Sequence, residues 1–173
     1  MLQNASPEQR KASLPDQTYR DRVALHLGGK EIQILYLGRA HTRGDTIVFV
    51  PADRMAYLSE VFNYEEFPYL SDGYPSDWMR TLEAAEALEA DIFVPGHGFL
   101  PEDLRQTRQG LRDHRQILAD VREAVRKEIE RGATEAQALA DIDLPQYKKF
   151  KGYAEAMKIA VRRTYAELKA GLP

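Results

Sequence analysis

Apolar residues at every second position recur between residues 22 and 58, and this alternation constrains the fold more than any other feature of the sequence. It runs through "RVALHL" and "KEIQILYL" on either side of a Gly-Gly pair, which predicts a β-hairpin over 22–37. Two more short strands are predicted at 46–50 and 54–58, around the turn "PAD". The chain therefore begins with a run of short strands that pair with their sequence neighbours.

A long aromatic-rich loop at 59–75 ends this pattern, and loops of such length are often functional or ordered by a partner. Ser76 is then predicted to cap a helix over 77–90, whose apolar residues follow three-and-four spacing. The segment "DIFV" at 91–94 is typical of a short buried strand that enters a tight turn.

Helical spacing continues from residue 101 to the C-terminus. Gly132 is predicted to end the first of these helices, and Thr134 with Gln137 forms a capping box at the start of the next. The last helix is predicted to start after Pro145 and to bend near Gly152. The order of strands, helix, strand and helices predicts an α/β domain, with a mixed or antiparallel sheet covered by helices on one face.

Composition excludes several classes of site and partner. The 173 residues contain no cysteine, so any metal must be held by His and carboxylate side chains. The net charge of −3 gives no reason to expect nucleic acid or a membrane surface as partner. The basic cluster of Lys148, Lys149 and Lys151 is interpreted as a solvated helix face. No apolar run approaches the roughly 20 residues of a membrane span, and we expect a soluble, cytoplasmic protein without an export signal.

The four histidines differ in their sequence context. His26 lies on the polar side of its strand and is interpreted as a surface residue. His114 lies in the apolar stripe of a long helix, which predicts a partly buried histidine with satisfied hydrogen bonds. His41 and His97 sit in Gly-rich turns at strand ends, "GRAHTRGD" and "PGHG", where ligands and catalytic groups are often placed. Each turn, taken alone, is as compatible with a purely structural role as with a ligand or catalytic role.

The two turns, in their order and context, resemble the C-terminal half of the metallo-β-lactamase fold hydrolases. The residues that carry this resemblance are "GRAHTRGDTIVFVP" at 38–51, "RMAYLSE" at 54–60, "DIFVPGHG" at 91–98 and the loop and helix at 67–88. The resemblance covers about residues 20–100, and the helical remainder only loosely. It implies half of an αββα sandwich, with a site for one or two zinc or other divalent ions at one edge.

The resemblance also assigns residues to that site. His41 and His97 match one ligand of each metal, and Glu60 stands where the family has a bridging Asp after Gly. Asp45 is expected either to orient His41 or to fix its turn by hydrogen bonds. The turns themselves depend on Gly44, Gly96 and Gly98.

The principal ligand motif of that family, HxHxDH, has no counterpart in this chain. We therefore expect residues 1–20 to be a linker or mobile arm, 21–131 the C-terminal half of the domain, and 132–173 a helical tail packed on it. Without the other half, the inner sheet face would be exposed. The apolar residues expected on that face are Val23, Leu25, Leu27, Ile47 and Phe49 or their neighbours.

The expected function is that of a metal-dependent, zinc-type hydrolase acting on an unidentified small molecule. Its site would be completed by a separate N-terminal half that carries HxHxDH or by a second copy of the chain. The alternative is a non-catalytic binding or structural module that retains half of the fold.

Overall fold

The computed structural model describes residues 6–15 and 17–170, which form one five-stranded sheet with helices packed against it. The strands are β1 (Arg22–Leu27), β2 (Lys30–Leu35), β3 (Ile47–Val50), β4 (Met55–Tyr57) and β5 (Ile92–Val94). Their spatial order follows the sequence, β1-β2-β3-β4-β5. All neighbours are antiparallel except β4 and β5, which are parallel because a helix connects them. The predicted hairpin and strands are confirmed.

The helices are α1 (Pro7–Ala12), α2 (Pro75–Glu86), α3 (Thr107–Glu130), α4 (Glu135–Asp141) and α5 (Tyr153–Ala170). The predicted stop is confirmed, since Gly132 adopts φ 79° directly after α3. The Thr134 and Gln137 capping box is present at the start of α4. Helix α1 lies in the segment expected to be a linker or arm; it is capped by Ser6 and buries no side chain.

Two predicted helix starts are wrong. Helix α2 begins at Pro75 rather than after Ser76, because proline fits the first helical position, where its missing N–H costs no hydrogen bond. Ser76 instead makes tertiary contacts, with its N–H donating to the carboxylate of Glu167 and its hydroxyl accepting from Arg122. The last helix begins at Tyr153, after a separate short turn and Gly152 at φ 80°.

One face of the sheet packs against the helices. Its buried residues are Leu35, Ile47, Phe49, Ala56 and Phe93. They join α2 and α3 in a core whose largest fully buried side chain is Trp78. This confirms the predicted α/β class with helices on one face.

The opposite face carries apolar side chains with no covering layer among the residues described. Its members are Val23, Leu25, Leu27, Ile32, Ile34, Val48, Val50, Met55, Tyr57, Ile92 and Val94, and none of them is buried. Leu25, Leu27 and Tyr57 are 45%, 72% and 42% exposed. We call this surface the open face. The expectation that Ile47 and Phe49 belong to it is wrong, because the pairing of Ile34 with Val48 turns those two inward.

None of the helices in the described ranges has both the length and the apolar composition needed to cross a bilayer.

Candidate functional site

The turn between β2 and β3 holds His41 in a fixed orientation. The Nδ1 atom of His41 lies 2.9 Å from the carbonyl oxygen of Tyr69. A carbonyl oxygen can only accept, so Nδ1 is the donor, and in the neutral ring Nε2 keeps its lone pair. A backbone carbonyl that fixes the tautomer in this way is the usual support of a metal-binding histidine. The ring also makes an edge contact with Trp78, at 5.7 Å between centroids.

Asp45 stabilises the same turn through Thr42. Its carboxylate accepts hydrogen bonds from the backbone N–H and the hydroxyl of Thr42, at 2.7 and 2.9 Å. This geometry corresponds to the turn-fixing interpretation of Asp45. Gly44 contributes less than expected, since a Cβ added there would meet open space and its φ is not in the left-handed region.

His97 and Glu60 lie at the ends of neighbouring parallel strands, β5 and β4. Since the carboxyl ends of parallel strands meet at one edge of the sheet, these two side chains come together. The Nε2 atom of His97 is 2.7 Å from Oε1 of Glu60. The backbone of His97 is held on both sides, with its N–H donating to Oδ1 of Asn63 and its carbonyl accepting from the N–H of Tyr64.

Gly96 and Gly98 are required by close backbone approaches. A Cβ on Gly96 would lie 2.5 Å from the carbonyl oxygen of Ser59, and a Cβ on Gly98 would lie 2.1 Å from that of Tyr64. Gly98 also has φ 98°, in the region that favours glycine. The "PGHG" turn therefore docks His97 directly against the segment that carries Glu60.

Ser59, the residue before Glu60, adopts φ 48°. This left-handed conformation is unfavourable for a residue with a Cβ. The metallo-β-lactamase fold hydrolases, which this stretch resembles, have a glycine at this position. Glycine adopts such angles without strain. In this chain a serine adopts such an angle.

One cavity of about 470 Å³ is lined by His41, Glu60 and His97 together. We call it the site cavity. Its further lining residues are Asn63, Glu66, Phe67, Tyr69, Lys151, Gly152, Glu155 and Ala156. Asn63 and Tyr69 come from the aromatic loop that the sequence singled out by its length. The residues at 151–156 come from the tail, whose contribution the sequence did not indicate.

Lys151 was expected to lie on a solvated helix face; its side chain is 78% exposed, but its placement on a helix is wrong. It precedes α5 and pairs with the aromatic loop, with its Nζ 2.6 Å from Oε1 of Glu66. Its backbone carbonyl accepts from the N–H of Phe67, and its own N–H donates to the carbonyl of Glu65. The tail thereby contributes Lys151, Gly152, Glu155 and Ala156 to the lining of the site cavity.

The described residues do not form a metal site by themselves. Within 6–15 and 17–170, no three His, Cys, Asp or Glu side chains converge closely enough to hold an ion. A divalent metal needs four or more ligands in such sites. His41 and His97 line the same cavity, but a full set of ligands requires groups that these residues do not include.

His114 lies in the core next to Trp78 and Phe62, with ring centroids 5.6 and 5.9 Å away. The expectation of a satisfied histidine is wrong, because neither ring nitrogen has a hydrogen-bond partner in the described part of the chain. Burial lowers the pKa of His114 to about 4, against a smaller opposing effect of the Asn63 backbone. The ring is therefore neutral at physiological pH.

Comparison with known proteins shows what this arrangement resembles. No sequence model of a protein family matches the chain. A metallo-β-lactamase type 2 from Bacteroides fragilis is 26% identical over 90 residues, which cover 49% of this chain and 36% of the relative. A solved stereoselective inverting sec-alkylsulfatase from Pseudomonas sp. superposes over 87% of this chain and 26% of its own, with a TM-score of 0.67 and 15% identity. Part of this chain has the metallo-β-lactamase fold.

The match to alkylsulfatases extends beyond that of the β-lactamase. A linear primary-alkylsulfatase from Pseudomonas sp. is 22% identical over 162 residues, which cover 87% of this chain and 30% of the relative. A match over 87% of the chain leaves too few residues uncovered to omit the whole helical tail, so the likeness to alkylsulfatases includes part of it. The chain spans about a third of the length of these two curated relatives, 36% and 30%.

Proposed function

We propose that this chain is part of a zinc-type, metal-dependent hydrolase of the metallo-β-lactamase superfamily, whose other ligands come from a second polypeptide segment. The observation that carries the proposal is the convergence of His41, Glu60 and His97 on one cavity at a single edge of the sheet. Its relatives are hydrolases of this superfamily. The fixed tautomer of His41, with Nε2 unprotonated, supports a ligand role for this residue.

The open face supports the need for a second segment. It has apolar members on all five strands. Apolar patches of this kind on soluble proteins mark interaction surfaces. A second sheet packed on it, from a separate half carrying HxHxDH or from another copy of the chain, would complete a two-sheet sandwich.

The catalytic test uses the chain together with a segment that bears HxHxDH, and both are supplied with zinc. The substrates are three esters: 4-nitrophenyl acetate, 4-nitrophenyl phosphate and 4-nitrophenyl sulfate. Hydrolysis of at least one ester is expected only when both polypeptides are present. His41→Ala and His97→Ala should each lower its rate by 100-fold or more, while His26→Ala, on an exposed strand position, should leave it unchanged. Equal rates for all three variants would refute the proposed ligand roles.

A non-catalytic module is the second candidate, favoured by the lack of three converging ligands among the described residues. Equilibrium dialysis against zinc separates the two functions. The hydrolase requires that zinc bind tightly after association with the second segment and that binding depend on His41 and His97. The module requires that the associated chain retain no zinc.

A further inference from the structure

A second cavity, of about 620 Å³, adjoins the site cavity. We call it the aromatic cavity, because Tyr64, Phe99 and Phe150 line it. Its floor includes Gly98 and Gly110, and it shares Glu66 and Lys151 with the site cavity. Its volume falls within the range of small-molecule binding sites, roughly 300–1,000 Å³.

The two residues that line both cavities, Lys151 and Glu66, form an ion pair at 2.6 Å, with side chains 78% and 19% exposed. An ion pair with so exposed a cation contributes little to stability, so its separation costs little free energy. The two side chains can therefore separate without a change in the backbone pairing that holds Lys151 against the aromatic loop.

The aromatic cavity is also tied to the candidate site through the chain itself. Phe99 follows His97 by two residues, and Gly98 between them is locked against Tyr64. The side chain of Phe99 is 90% exposed, an unusual position for so large an apolar group. The charges around the cavity are of both signs, with Glu65, Asp113 and Lys149 among its lining residues, so the lining does not select a ligand of one ionic charge.

We propose that the aromatic cavity binds the apolar alkyl or aryl group of the substrate, and that the reacting group extends past Glu66 and Lys151 into the site cavity. The orientation of the substrate, with its reacting group in the site cavity, rests on the proposed hydrolase function. The tail supplies Phe150 and Lys151 to this subsite and so determines specificity. Affinity for the apolar group itself needs neither metal nor a second segment.

The test uses the full chain and the alcohols 1-butanol, 1-hexanol and 1-octanol, titrated while backbone amide resonances are followed by NMR. Affinity is expected to rise by about fourfold for each methylene, the increment of full apolar burial. The largest shifts are expected at the amides of Gly98, Gly110 and Gly152. Shifts confined to the open face, such as at Val48, or an affinity independent of chain length, would overturn the proposal.

Matched substitutions on α3 localise the binding. Gln109 lines the aromatic cavity and Gln116 does not, and each donates to the Asp four residues later, at 2.8 and 2.6 Å. Gln109→Trp fills the cavity and should weaken 1-octanol binding at least tenfold, whereas Gln116→Trp should change it less than twofold. Equal effects of the two variants contradict the proposal.

A further variant avoids any effect on folding. Phe99→Ala removes an exposed ring, so the fold is retained, and 1-octanol binding should weaken at least threefold; an unchanged affinity contradicts the proposal. These results are independent of hydrolysis. Alcohol binding in the cavity, combined with unaffected hydrolysis in His41→Ala and His97→Ala, would reject the metal-site assignment alone.

Discussion

The Nε2 atom of His97 lies 2.7 Å from Oε1 of Glu60, and the two residues follow the ends of adjacent parallel strands. Their side chains are 58% and 38% exposed. The contact is therefore in water and contributes little to folding, in contrast to the close backbone approaches of Gly96 and Gly98 on either side of His97. This part of the molecule is positioned by its backbone, which leaves both side chains available for another partner.

The first prediction concerns Glu60→Ala. Because an exposed pair of this kind is worth at most about 1 kcal/mol, the free energy of unfolding should change by no more than that. Urea denaturation followed by circular dichroism measures it. A loss above about 2 kcal/mol would mean that the contact between Glu60 and His97 is structural.

Gly98→Ala should be strongly destabilising, by roughly 3 kcal/mol or more, because the added Cβ meets the Tyr64 carbonyl and the residue has φ 98°. Gly44→Ala is the matched control. Its Cβ meets open space, so the unfolding free energy should stay the same or rise by up to about 1 kcal/mol. Similar midpoints for the two variants in urea would show that the close approach at Gly98 is absent.

Ser59→Gly should stabilise the protein by about 1 kcal/mol. The gain comes from relief of the left-handed conformation at φ 48°, reduced by the greater entropy of glycine in the unfolded chain. Ser71→Gly, at an exposed loop position without positive φ, provides the comparison and should be neutral or destabilising. A thermal midpoint for Ser59→Gly at or below that of the unmodified chain would contradict the strain at Ser59.

His114 makes stability depend on pH. Its pKa is about 4 in the folded protein, whereas the ordinary pKa of a solvated histidine is 6.5, so the unfolded state binds a proton more readily between these values. Stability from this residue is complete above pH 6.5 and falls as the pH drops toward 4, by about 3 kcal/mol in total. His114→Leu removes this dependence and the two unpartnered nitrogens.

The measurement is the difference in unfolding free energy between His114→Leu and the unmodified chain from pH 4 to pH 8. Other titrating groups cancel in this difference. As the pH falls, the unfolding free energy of His114→Leu should increase relative to that of the unmodified chain. A difference that stays constant across this range is incompatible with a buried, neutral His114.

The open face should drive association. Leu25→Lys and Leu27→Lys place charges on it and should shift the chain toward monomer in sedimentation velocity, or prevent it from binding a second segment. Leu14→Lys is the control, since Leu14 is 70% exposed and lies outside the sheet. A concentration-independent monomer for the unmodified chain, unable to bind another segment, would contradict the role of this face.

Local features of the sequence predicted the parts of the fold that depend on neighbouring residues. The hairpin, the Gly132 stop and the Thr134 capping box each involve contacts within a few positions. The inward face of β3 could not be predicted in this way, because it depends on the pairing of Val48 with Ile34. Ser76 was misassigned for a similar reason, since Glu167 on α5 and Arg122 on α3 engage it.

The candidate site was predictable only in part. The turns made His41 and His97 candidates, the resemblance assigned them and Glu60 to a site, and all three line one cavity in the structure. The contact between Lys151 and Glu66 joins residues that are 85 positions apart, and no periodicity encodes such a distance. The missing hydrogen bonds of His114 depend equally on the packing of Trp78 and Phe62 around its ring.

The backbone pairing of Lys151 with the aromatic loop has a consequence for how this scaffold can vary. Because the N–H and carbonyl groups of Lys151 are bonded to Glu65 and Phe67, the position of Lys151 is set by the aromatic loop and not by the length of the connection that precedes it. Insertions or deletions at 142–150 should therefore be tolerated while Lys151 keeps its place in both cavities.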